Sequence, residues 1–217
     1  MTRAACTGAL LEMGQHVSGE AAGAMIGEFL RIAAELWHRS ALGPVTLSER
    51  FEQTLKRHGI KHEADAGSVA ETYIRHWHDG VVFLPGGARL LRAATRFHTG
   101  LITNGNAARQ RETAKRLGVL AAVDHVLISG ELGVSKPDPA IFWLALEKAG
   151  CAPDEAVMVG DSLPADMAGA QALGIRTLWI DHRGQSADRT AAVPDVVVTS
   201  AEEAAKQLEL VKPWSRS

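Results

Sequence analysis

Apolar residues recur along this chain with two different periods, and the change falls near residue 80. Between Glu20 and Ser40, the positions of Ala24, Met25, Phe29, Ile32, Ala33, Leu36 and Trp37 follow helical spacing, and Gly43-Pro44 stops the run. A second helix is predicted from near Ser48, with Phe51, Leu55 and Ile60 on one face. A third runs through Val69, Tyr73, Ile74 and Trp77 and closes at Gly80, read as a C-terminal cap. No convincing strand is read before Val81.

Beyond that point short apolar runs alternate with helical patterns. Strands are predicted at Gly100–Thr103, His125–Ser129, Ala156–Gly160, Arg176–Ile180 and Val196–Val198, with helices near 86–96, 107–117, 138–149, 164–173 and 201–211. Asp138 is placed to cap the helix that Pro139 opens, and Gly174 to end the one that Pro164 begins. This alternation predicts a Rossmann-like α/β fold with a doubly wound, mostly parallel sheet. The expected division is a helical domain over 1–80 and an α/β core over 81–217.

Composition narrows the classes of function. The chain has 217 residues, is 46% hydrophobic and 22% charged, and carries a net charge of −2, which suits a soluble protein with a real core. No basic stripe is present to neutralise a run of phosphates, so nucleic acid is not an expected partner. The two cysteines, Cys6 and Cys151, lie far apart in unrelated contexts, which argues for a reducing compartment, with the cytoplasm as the default. The apolar patch from Ala4 to Leu11 is too short and too interrupted for a signal peptide or membrane span. A monomer or weak homodimer is expected.

In a doubly wound sheet, ligands sit beyond the carboxyl ends of the strands, so the residues after each strand matter most. After the first comes Thr103-Asn104-Gly105-Asn106, either a plain turn or a phosphate cradle with outward-pointing N–H groups. After the second comes Gly133-Val134-Ser135-Lys136-Pro137-Asp138-Pro139. Lys136 stands at the unfavourable end of the next helix dipole, either as a solvated loop lysine or in answer to a nearby anion or carboxylate. After the third come Asp161 and, on the first turn of the next helix, Asp166. They read either as helix-capping acids or as a carboxylate pair for a hard cation with oxygen ligands. Three such signals in one order, each at the tip of a predicted parallel strand, are poorly explained as unrelated turns.

The runs Leu101-Ile102-Thr103-Asn104-Gly105, Ser135-Lys136-Pro137-Asp138-Pro139-Ala140-Ile141-Phe142 and Val159-Gly160-Asp161-Ser162 with Asp166 resemble motifs two, three and four of the haloacid dehalogenase-like superfamily. The style is closest to the subfamily with a helical cap inserted after the first motif, which includes nucleotidases and sugar-phosphate phosphatases. The likeness covers residues 81 to about 200, and the helical half fits a cap in size and position. The resemblance implies a Mg²⁺-dependent phosphomonoesterase that works through a phosphoaspartate on a small phosphorylated metabolite. It implies that Thr103 holds a phosphoryl oxygen, helped by Asn104 and by loop N–H groups such as that of Gly105. It further implies that Lys136 offsets charge on the nucleophile and the phosphoryl group, that Asp161 binds Mg²⁺, and that Asp166 ligates it or orients a water on it.

One part of the pattern is missing. The family's first motif is an apolar strand ending in Asp-x-Asp, and no Asp-x-Asp occurs in this sequence. In that fold the strand lies between those bearing Thr103 and Asp161. Without it a gap is expected, about 4.8 Å on each side, with two rows of unpaired backbone groups at roughly 1–3 kcal/mol apiece. The expected cause is a start placed too far downstream, with one strand and its loop, about 15–20 residues, lying upstream. The alternatives are a relic that binds a phosphorylated ligand or Mg²⁺ without turnover, and a 2-haloacid dehalogenase. The acidic pair favours phosphate over carbon–halogen chemistry. His76 and His78, two residues apart on a helix, face different ways and are not expected to share a metal. Arg109 and Arg111 are read as a solvated helix face.

Overall fold

The computed structural model describes residues 23, 24, 26–29, 31, 32, 47–57, 66–182, 184 and 192–211. The chain divides into two compact units, Met1–Val81 and Val82–Ser217.

In the first unit the described residues between 23 and 32 are helical, followed by α1 (Leu47–Arg57) and α2 (Ala66–Asp79). Of the periodic positions, Phe29, Ile32, Phe51, Leu55 and Tyr73 are buried and Ile74 and Trp77 half-buried, whereas Ala24, expected on the same apolar face, is exposed. Phe29 stacks on Phe51 with ring centroids 4.5 Å apart, and Tyr73 lies 5.6 Å from both. Such pairs contribute about 0.5–1.5 kcal/mol each beyond area burial. Arg31 and then Arg57 hold the Glu28 carboxyl down to about 2, tying the first helix to α1. Met25, Ala33, Leu36, Trp37 and Ile60 lie outside the described residues. Gly80 ends α2 without a left-handed cap: its N–H still reaches the His76 carbonyl at 3.2 Å, and its φ is not positive.

The second unit opens with α3 (Gly87–Ala94) and then alternates strand and helix. The order is β1 (Gly100–Thr103), α4 (Ala107–Arg116), β2 (His125–Ile128), the single turn α5 (Ser129–Leu132), α6 (Pro139–Ala149) and β3 (Val157–Gly160). A π-helical turn (Leu163–Met167) leads into α7 (Ala168–Gln171), β4 (Arg176–Ile180), β5 (Val196–Val198) and α8 (Ala201–Leu210). All strand pairs are parallel, as the alternation requires. Asp138 caps α6 by accepting the Ala140 N–H at 2.9 Å, and Gly174, with φ 77°, ends the chain's run before β4.

One element differs from its sequence pattern. The helix expected over 164–173 begins as a π turn, in which the Met167 N–H reaches back five residues to the Ser162 carbonyl. The wider turn lets Asp166 and Met167, adjacent in sequence, both be buried.

The sheet is in two pieces. β1 pairs only with β2, and β3–β4–β5 form a separate ladder. Among the described residues no strand lies between β1 and β3. Burial records the break: Thr177, Leu178 and Trp179 of β4 are buried, whereas Leu101 and Ile102 of β1 and Met158 and Val159 of β3 are only half-buried. In a sheet covered on both faces the central strands should be the driest.

The helices nonetheless cover both faces. Ile141, Phe142 and Leu146 of α6 pack with Leu127, Ala170 and Ile175, and this cluster touches both Ile102 and Met158. On the other face α3 and α8 join through Ala93, Ala205 and Leu208, next to Val159. Arg89 pairs there with Glu202 and, in a fork, with Glu209. Gly86 makes that approach possible, since a Cβ there would lie 2.4 Å from the Glu202 nitrogen and its φ is +83°.

β4 and β5 are stitched at their starts by Asp195, whose carboxylate accepts the Thr177 hydroxyl at 2.7 Å and the Thr177 N–H at 2.8 Å. These bonds, the hydroxyl's first, hold the Asp195 carboxyl below its ordinary 3.8. A depressed carboxyl stabilises the fold above its unfolded value and loses that contribution as pH falls through the folded value. Asp195→Asn should therefore lower the thermal midpoint at pH 7. The difference from the parent should shrink as pH falls below 3.8, as followed by melting across a pH series.

Candidate active site

β1 delivers the chain to Thr103, whose half-buried hydroxyl makes no hydrogen bond among the described residues. The turn that follows needs Gly105: its φ is +143°, and a Cβ there would stand 2.7 Å from the Gln110 amide nitrogen. Asn106 then caps α4 by accepting the Arg109 N–H at 3.1 Å.

Asn104 acts at both ends of its amide. It accepts the Lys136 N–H at 2.9 Å and donates to the Lys136 carbonyl at 2.8 Å, pinning the loop after β2 onto the tip of β1. The Gly105 N–H likewise donates within the protein, to the Ser129 hydroxyl at 2.9 Å. Gly130 packs so tightly on this turn that a Cβ would lie 2.6 Å from the Gly105 carbonyl. The structure thus places Asn104 and Gly105 in the expected loop, with the donors expected to face phosphate already occupied internally.

Lys136 is the hub. Its ammonium donates to the Ile102 carbonyl at 2.9 Å and meets Asp166 Oδ1 at 2.6 Å, with both side chains nearly buried. The carboxylate that answers this lysine is therefore Asp166. The other Asp166 oxygen accepts the Ser162 N–H at 3.0 Å. Gly160 leaves room for that carboxylate, since a Cβ there would come within 2.3 Å of Oδ2. Asp161 is exposed at the same strand tip, and its backbone carbonyl accepts the buried Trp179 indole N–H at 3.1 Å. Three of the expected parts, the Thr103 tip, Lys136 and the Asp161–Asp166 turn, are thus joined at one edge of the sheet by bonds that span more than sixty residues of sequence (Ile102 to Asp166).

Ser129, Gly130, Ser162 and Trp179 were not singled out from the sequence for these roles. Trp179 was findable by register alone, because it lies opposite Gly160 in the β3–β4 ladder. Arg111 is engaged by Glu131 in a two-bond fork at 2.7 Å. Among the described residues no cluster of three or more His, Cys, Asp or Glu is placed to hold a metal. The oxygen donors at this edge are two carboxylates, and Asp166 has both oxygens committed.

Comparison with known proteins fits this geometry. The family described as haloacid dehalogenase-like hydrolase matches residues 2–174. The chain belongs to that family. Among curated relatives, a phosphoserine phosphatase of Thermus thermophilus is 38% identical over 149 residues, 68% of this chain and 59% of that protein. A glyceraldehyde 3-phosphate phosphatase of Pyrococcus furiosus is 35% identical over 142 residues, 61% of this chain and 56% of its own length. The chain thus spans less than two-thirds of either. The Escherichia coli pyrimidine 5'-nucleotidase YjjG is 33% identical over 73% of this chain and 72% of itself. The magnesium-bound HAD-hydrolase YfnB of Bacillus subtilis shares the fold, with a TM-score of 0.77 at 23% identity, covering 96% of this chain and 92% of that one.

For this member of the family, the buried Lys136–Asp166 pair makes a sharp stability prediction. Removing one partner leaves an uncompensated charge, at about 3–5 kcal/mol. Lys136→Met should lower the unfolding free energy by roughly that amount in a denaturant titration. Adding Asp166→Asn, which removes the stranded charge but keeps an acceptor for the Ser162 N–H, should recover much of the loss.

Proposed function

We propose that this chain is the phosphate-handling part of a Mg²⁺-dependent phosphomonoester hydrolase acting on a small phosphorylated metabolite. The observation that carries the reading is the Lys136 ammonium, bonded at once to the tip of β1 and to the acidic turn after β3. That cation brings the end of β1, which carries Thr103, beside the turn that carries Asp161 and Asp166, at the strand ends where a doubly wound sheet binds its ligands.

In this reading the Thr103 hydroxyl donates to a phosphoryl oxygen. Lys136 offsets negative charge as the phosphoryl group moves, and Asn104 holds the backbone that carries Lys136. Asp161 is the direct metal ligand. Asp166, with both oxygens engaged, serves from the outer position by holding a metal-bound water. Two carboxylates completed by water and substrate oxygens suit magnesium. The ion would supply positive charge facing the equatorial phosphoryl oxygens. Trp179 steadies the Asp161 backbone. The helical unit is the expected cap, in which substrate choice would be written.

The nucleophile is the part that the sequence does not contain, since it has no Asp-x-Asp. That favours a second reading, in which the chain as given binds phosphorylated ligands or Mg²⁺ without turning them over. Nucleophile loss in a well-studied hydrolase lowered the rate about 10⁶-fold.

The test is phosphate release from phosphoserine, glyceraldehyde 3-phosphate and pyrimidine 5'-nucleotides, with and without EDTA. It is run on this chain and on a version extended upstream in frame. The extended protein should release phosphate only with Mg²⁺, and Asp161→Asn should slow it by about 10²-fold or more, the scale of losing a few kcal/mol of charge stabilisation. EDTA-insensitive halide release from 2-chloropropionate would replace the reading with dehalogenation. Ligand-induced stabilisation without turnover in both versions would leave the binding reading alone.

A further inference from the structure

We propose that His98 and His125 form a binding site for a divalent transition-metal ion such as Zn²⁺, which replaces the proton shared by the two rings at the foot of β1 and β2. The site lies where the strands begin, about 10 Å along β1 from Thr103, and does not rest on the phosphatase reading.

The ligand atoms already stand at the required separation. His98 Nε2 lies 3.3 Å from His125 Nδ1, and the ring centroids are 5.4 Å apart, so the two nitrogens face each other and the rings do not stack. Imidazole nitrogens bind zinc at about 2.0–2.1 Å, and two of them 3.3 Å apart subtend roughly 104–111° at a common ion, which brackets the tetrahedral angle. A small swing of the outer His98 ring turns both lone pairs onto that point.

The surroundings hold the pair in place. Gly100 sits opposite His125 in the β1–β2 ladder, and a Cβ on it would fall 2.1 Å from His125 Nε2. The φ of Gly100 is not positive, so this glycine makes room for the ring and is not required by the backbone. The two chain segments lock each other: the Thr99 N–H donates to Asp124 Oδ2 at 2.8 Å, and the Asp124 N–H donates to the Thr99 carbonyl at 2.8 Å. Each of these residues is the chain neighbour of one histidine.

The Asp124 carboxylate also faces the other His98 nitrogen, Nδ1, at 3.8 Å, the side on which a metal-bound histidine commonly meets a carboxylate. Burial first, then His98 and Lys148, lowers the His125 pKa, which favours the unprotonated ring that a metal requires. The side chains of His98 and Asp124 are 34% and 52% exposed, which leaves the remaining coordination positions to water. Two imidazoles with water suit zinc, nickel or copper, whereas magnesium prefers oxygen. An ion there would clasp the foot of the two-stranded β1–β2 piece.

The test is a Zn²⁺ titration of the full chain in excess Mg²⁺, which occupies oxygen sites and leaves imidazole free. A chromophoric chelator reports free Zn²⁺, and circular dichroism checks that each variant keeps the parental fold. The parent should bind one Zn²⁺ more than the double variant His98→Gln, His125→Gln. Each single variant should bind that ion at least about tenfold more weakly, as should Gly100→Ala, whose methyl group displaces the His125 ring without removing a ligand. Asp124→Asn keeps an acceptor for the Thr99 N–H and should weaken binding about tenfold through loss of charge. Zn²⁺ should also raise the thermal midpoint of the parent by more than that of the double variant.

Equal Zn²⁺ stoichiometry and affinity in the parent and the double variant would overturn the site. So would a loss confined to one of the two histidine variants, which would leave the ion on a single ring. Failure to hydrolyse any phosphomonoester would leave these outcomes untouched.

Discussion

A single buried cation organises the working edge of this protein. The Lys136 ammonium lies between the carbonyl of Ile102 and the carboxylate of Asp166, with almost no solvent to screen it. A lysine so placed is tolerable only because a full negative charge and an oriented dipole answer it. The neighbouring features follow from keeping that arrangement. Asn104 clamps the Lys136 backbone at both ends of its amide, Gly160 leaves space for the carboxylate, and the π turn swings Asp166 inward. Trp179 holds the adjoining Asp161 carbonyl from the neighbouring strand. The edge is thus held in place by the protein's own hydrogen bonds and ion pair.

The same lysine bears on the break in the sheet. It takes one backbone acceptor that a neighbouring strand would otherwise satisfy, and it bridges the margins only at their carboxyl ends. Along the remaining length the strands flanking the break stay wetter than β4, although helices cover both faces. A doubly wound sheet normally buries its middle best. Here the two strands flanking the break are less buried than β4, while the chain shares the fold of the haloacid dehalogenase-like hydrolases to which it belongs. The helix layers on the two faces are each held by their own contacts, the α3–α8 contact with its Arg89 network on one side and the α6 cluster on the other.

What the sequence settled by itself was the course of the chain. All five strands lie within a residue of their predicted positions, because short apolar runs bounded by polar turns have few other ways to be buried. The Asp138–Pro139 start of α6 and the Gly174 stop are local devices, legible from neighbouring residues alone. The absence of Asp-x-Asp could also be read directly, whereas the place of the break was implied only by the family resemblance.

Tertiary structure alone decided which partners the polar groups took. Nothing local says that both ends of Asn104 go to a residue thirty-two positions away, that Ser129 claims the Gly105 N–H, or that Lys136 meets Asp166 and a strand carbonyl. Those choices depend on which strand tips lie side by side and on which bonds remain once helices have packed. Sequence periodicity reports burial, which is non-directional. Hydrogen bonds and ion pairs are directional, and their geometry exists only after the sheet is assembled.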